Sequence, residues 1–128
     1  MITEAEIPQK ELEARLTLVT EMGKLLADPK HWIKNALAID HEDNEVDPTE
    51  ATACAFCLLG ASHYVIQNVP GMWDYFSGHF SFVSCSDVLG LPGSVSVFND
   101  ELSRTHGEIL ALLASRKKHY EALLNKVK

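Results

Sequence analysis

The sequence predicts a mainly α-helical fold: a compact bundle of about four to five helices with a small β-hairpin or irregular excursion near residues 36–47. Three observations lead there. Apolar residues recur at helical spacing towards both ends of the chain, at Leu12, Leu16, Val19 and Leu26, and again at Ile109, Leu112, Leu113, Tyr120, Leu123 and Leu124. From Ala51 to Val65 there is no Asp, Glu, Lys or Arg, the mark of a helix that is apolar on nearly every side and so buried. The chain of 128 residues is 46% hydrophobic, a size at which one core forms readily. It shows no repeat, low-complexity tract or linker. Residues 1–128 therefore read as a single helical domain.

The elements follow in order. "PQKELEARLTLVTEMGKLLA" at 8–27 reads as the first helix, with Pro8 in its first turn. "DPK" at 28–30 redirects the chain. In 31–48, Ile39 and Val46 are placed on the arms of a small hairpin whose tip holds Asp43 and Asn44. Asp47 then reads as a cap and Pro48 as the first residue of a helix over 48–68. A short helix over 71–77, ended by Gly78, is expected to press Trp73 and Phe76 onto the core, because aromatic rings bury large areas. Trp32 is also placed at the core or its edge. A second short helix is expected over Ser86–Leu89, before the "GLPG" turn. The last helix spans about 105–127. Thr105 and Glu108 open it as a capping box, in which each side chain bonds the other residue's backbone N–H.

Charge narrows the function classes. The net charge is −7, and between Lys34 and Arg104 there are ten Asp and Glu residues and no Lys or Arg. From Arg104 onward there are six basic residues and two acidic ones. A nucleic-acid footprint needs a clustered positive surface, so the middle of the chain is unsuited to one. The basic last helix is read as offsetting the acidic middle, with nucleic-acid association through it kept as a lesser alternative. No apolar run approaches the roughly 20 residues that cross a bilayer, and the start lacks the basic and apolar regions of a secretory signal. Three cysteines, an odd number, suit reduced thiols. The expectation is a cytoplasmic protein without a membrane partner.

Few side chains suggest chemistry. Cys54 and Cys57 form a C-x-x-C pair that Cys85 and His63 or His79 would complete as four zinc ligands. Their neighbours are Ala, Phe and Leu rather than the polar turn residues that surround thiolate ligands, so core cysteines, with no metal and no cofactor, are the reading. Cys57 is placed about three turns inside its helix, too far from the start for thiolate stabilisation. An enzyme alternative would pair Cys57 with His106 and Asn99 or Asp100. "DHEDNEVDPTE" at 40–50 has the composition of a calcium loop but lacks its central Gly and acidic spacing. In "SVFNDELSRTHGE" at 96–108, Asn99 and Asp100 either form a structural turn, accepting backbone N–H bonds or bonding to Arg104, or Asp100 and Arg104 form a ligand-facing pair beside the helix start, where anions are favoured. Asn99, Asp100, Arg104 and Trp32 are the candidate functional surface.

The order of these features resembles a family of small uncharacterised helical proteins of bacteria and their phages. The resemblance rests on Trp32 followed by a polar hairpin, on "CLLGA" from Cys57 to Ala61, on "FND" at 98–100 with Arg104 and Thr105, and on "EILALL" from Glu108 to Leu113. It covers roughly residues 10–115. Phe98 stands where the family often has Trp, and "SRKKHYEALLNKVK" after Ala114 is longer than usual. The resemblance implies a compact, mainly helical fold, brings no substrate or mechanism, and puts Asn99 and Asp100 first among residues to test. The resulting reading is a non-catalytic domain that acts by binding or by structure. Its expected partner is a protein or a second copy meeting the stripe of Tyr120, Leu123 and Leu124.

Overall fold

The first helix, α1 (Gln9–Leu25), starts where Pro8 takes an extended conformation and its carbonyl accepts the N–H groups of Glu11 and Leu12. In the computed structural model, which describes residues 7–76 and 85–127, α1 turns Leu12, Arg15, Val19 and Met22 inward on one stripe, with Leu18 beside them. This stripe packs chiefly against the last helix, α6 (His106–Val127), whose Ile109, Leu113, Tyr120 and Leu124 are buried. Each fully buried leucine in such a seam contributes about 1.5–3 kcal/mol. The capping box at the start of α6 forms as expected: Thr105 N–H donates to Glu108 Oε1 at 2.9 Å and Glu108 N–H to Thr105 Oγ1 at 3.2 Å.

Between these helices run β1 (Ala38–Ile39), β2 (Ala55–Phe56), α2 (Leu58–Asn68), α3 (Met72–Phe76), α4 (Cys85–Leu89) and α5 (Val95–Asp100). The fold is a mainly α-helical bundle with a small two-stranded β excursion. The hairpin is present at 38–46: Ile39 bridges Glu45, Val46 N–H donates to Ala38 O, and Asp43 sits at the turn with φ of 64°. The Asp40 carboxylate accepts the N–H groups of Glu42 and Asn44, and these bonds, Asn44 first, hold it below the usual carboxylate range.

The helix expected over 48–68 begins ten residues late. Asp47 does make a cap-like turn, accepting Thr49 N–H at 2.9 Å, but no helix follows. Instead the chain returns to the hairpin, with Ala38 opposite Phe56 and Ile39 opposite Ala55 in an antiparallel pair. Cys54 N–H donates to Ile39 O and Cys57 N–H to Leu37 O, so the backbone groups that would propagate a helix are committed to strand partners. Cys57 thus becomes the cap of α2 rather than a residue deep inside it.

Two further expectations change. Phe76 is buried, but Trp73 is 58% exposed and does not cover the core. The Gly78 stop and His79 lie outside the described residues. The stripe at Tyr120 and Leu124 is covered by the chain itself. Tyr120 is sealed, its hydroxyl donating to Val88 O at 2.6 Å beside Arg116, whose Nε donates to the same carbonyl at 3.0 Å. Together they tie the end of α4 to α6, which removes the feature that suggested a self-contact through the last helix.

Candidate functional site

Asn99 lies in the last turn of α5, a helix capped at its start by Ser94. It is fully buried, at 0% exposure, although an asparagine is seldom placed there. The reason is its bonding. Its Oδ1 accepts the indole N–H of Trp32 at 2.8 Å and the backbone N–H of Leu58 at 3.0 Å. Its Nδ2 donates to Ile33 O at 3.0 Å and to Asp100 Oδ1 at 2.9 Å. A side-chain amide offers two lone pairs and two N–H donors, so every bonding position of Asn99 is filled from within the chain.

Asp100 extends the junction. Its Oδ1 also accepts the N–H of Asn35 at 2.9 Å, and Asn35 stands in the left-handed region at φ 67°, a conformation Asn tolerates better than most residues. Lys34 reaches across to Glu101 O at 2.6 Å and Leu102 O at 3.3 Å. The 31–37 segment is therefore strapped onto the end of α5 by main-chain and side-chain bonds at four successive residues, 32 to 35. Arg104 does not pair with Asp100. It lies 3.6 Å over the Phe98 ring, donates from Nε to Phe98 O, and forms ion pairs with Glu101 at 2.8 Å and Glu108 at 3.2 Å. It joins α5 to the start of α6.

The "CLLGA" stretch enters the same junction from the other side. Cys57 Sγ accepts Gly60 N–H at 3.3 Å, and Cys57 O accepts Ala61 N–H at 2.8 Å. Gly60 has to be glycine, because a Cβ there would overlap the backbone carbonyl of Leu37. That carbonyl is the acceptor for Cys57 N–H. Trp32, the Cys57–Ala61 segment and the Phe98–Asp100 segment, far apart in sequence, thus meet at one buried point.

The chemical consequences follow from this geometry. A helix start favours anions and thiolates through its unbonded N–H groups. At the start of α2, however, Leu58 N–H goes to Asn99, Gly60 N–H to the Cys57 sulfur and Ala61 N–H to the Cys57 carbonyl. Burial pushes the Cys57 thiol up, against the partial relief given by Gly60 and Leu59 N–H and with Asp100 adding to the rise. The capping position that could have activated this sulfur instead holds a thiol whose ionisation is disfavoured by burial. Burial likewise pushes the Cys85 thiol up to about 11. His106 faces elsewhere, its Nε2 lying 2.6 Å from Leu26 O and its ring 6.0 Å from that of Trp32. Of the zinc alternative, Cys54 lies at the edge of β2, Cys57 caps α2, and His63 is exposed. Among the described residues, no three His, Cys, Asp or Glu side chains gather so as to hold a metal ion.

The structure therefore brings Trp32, Asn99 and Asp100 into one network and sets Arg104 on its flank. Sequence reasoning missed Lys34, Asn35 and Leu37 as members. Gly60, within "CLLGA", is one of the small residues of an apolar helical run that let another element approach closely, and the Leu37 backbone does so. The contributions of Lys34 and Leu37, made towards or from main-chain carbonyls, leave no trace in residue type.

The carboxylates of 40–50 are exposed except for Asp40, which is half-buried. Arg104, at the head of the basic segment, pairs with Glu101 of the acidic middle at 2.8 Å. No helix among the described residues is long and apolar enough to cross a membrane.

Comparison with known proteins gives one family. The model of a family of unknown function, DUF6197, matches residues 13–115, a span that contains every residue of the junction, and the chain belongs to that family. No curated protein and no solved structure matches.

Proposed function

We propose that this member of DUF6197 is a non-catalytic domain that acts by binding another protein, and that the Trp32–Asn99 junction is the rigid platform of its binding face. The observation that carries this reading is the position of the exposed apolar residues. Among the described residues, the large exposed hydrophobics are Leu37, Trp73, Val97 and Leu102. Three of these four belong to segments that the junction holds: Leu37 in the strapped segment, Val97 on α5, and Leu102, wholly exposed, beside the carbonyl that Lys34 grips. Apolar side chains held outward on a fixed backbone suit a protein contact, since little ordering entropy remains to be lost on binding.

In this reading Asn99, Asp100, Arg104 and Trp32 are platform residues, and the contact is made by Leu37, Val97 and Leu102 around them. An enzyme built on Cys57 is disfavoured by the burial of its sulfur, which opposes ionisation, and by the filled bonding positions of Asn99. The three cysteines are free, which favours a reducing cytoplasm. A bacterial or phage origin rests on the motif resemblance.

Photo-crosslinking tests the proposal. Benzoylphenylalanine replaces Val97 or Leu102 in one pair of proteins and the exposed Ala114 or Glu121 of α6 in another, and each is irradiated in its host cell. The expected result is a discrete adduct from positions 97 and 102 and none from 114 and 121. An adduct of twice the chain mass identifies a second copy as the partner, and any other mass a different protein. Adducts at all four positions alike, or at none, would overturn the reading.

A further inference from the structure

No further inference is drawn: the strongest candidate, the shallow depression of about 450 Å³ between the hairpin turn at Asp40–Glu42 and Ala51–Ala53, offers only the two carboxylates of Asp40 and Glu42, with no second feature that points to a ligand.

Discussion

Replacing Asn99 by Ala tests the junction at its centre. The substitution removes four hydrogen bonds and leaves three groups without that partner: the Leu58 N–H, the Trp32 indole N–H and the Ile33 carbonyl. Asp100 Oδ1 keeps its bond from Asn35. The Leu58 bond is buried, and stranding such a donor costs about 1–3 kcal/mol. The other two are partly buried, and water can replace some of each loss, so about 0.5–1.5 kcal/mol apiece applies. The sum is roughly 2–6 kcal/mol, centred near 4. For a chain of 128 residues the total stability is on the order of 6–19 kcal/mol, so the variant should fold but melt roughly 15 °C lower. Urea and thermal unfolding followed by far-ultraviolet circular dichroism measure both quantities. Asn99→Asp keeps the acceptor oxygen but loses both donors and sets a second carboxylate against Asp100. It should be at least as unstable at pH 7, and should recover as the pH falls far enough for one of the two carboxyls to take up a proton. If Asn99→Ala stays within about 1 kcal/mol of the natural protein, the junction does not hold the fold and the reasoning fails.

Two other outcomes follow from the same geometry. Gly60→Ala places a methyl group against the Leu37 carbonyl, a backbone atom that cannot swing aside. Stability should fall by about 3 kcal/mol or more, whereas an ordinary exposed helical glycine would gain about 1 kcal/mol from the same change, and a thermal melt separates the two signs. Glu108 is held below its usual value of 4.5, first by the Thr105 N–H, so its contribution to stability is complete above pH 4.5 and is lost as the pH drops through the lowered value in the folded state. Glu108→Gln should therefore flatten the acid side of the stability profile below pH 4.5; an unchanged profile would show that the capping box does not couple to folding.

The parts of the fold written locally were legible in the sequence. α1 and α6 carry long stripes at helical period, and the Thr105–Glu108 box sits at fixed spacing, so neither needs knowledge of distant residues. The segment 48–57 was illegible for the opposite reason. Its composition favours a helix, but the N–H groups of Cys54 and Cys57 are claimed by the carbonyls of Ile39 and Leu37, whose positions depend on the whole fold. That single error also misplaced Cys57, moving it from the start of a helix to the interior. Tyr120 and Leu124 were legible as apolar but not as covered; the Val88 carbonyl that receives the Tyr120 hydroxyl lies on α4, 32 residues away. Asn99 was legible as a residue worth testing. Its bonding was not, since the acceptors and donors that fill it include main-chain groups of Ile33 and Leu58 that no residue type announces.

Hydrogen exchange at two protons examines the junction most directly. The Trp32 indole N–H and the Leu58 amide N–H both donate to the oxygen of Asn99, and if that oxygen locks the two segments together they should exchange at matching free energies of opening, near those of core amides such as Leu113. Fast exchange of either proton while Leu113 stays protected would show that the two segments part without unfolding, and would contradict the platform on which the proposed function stands.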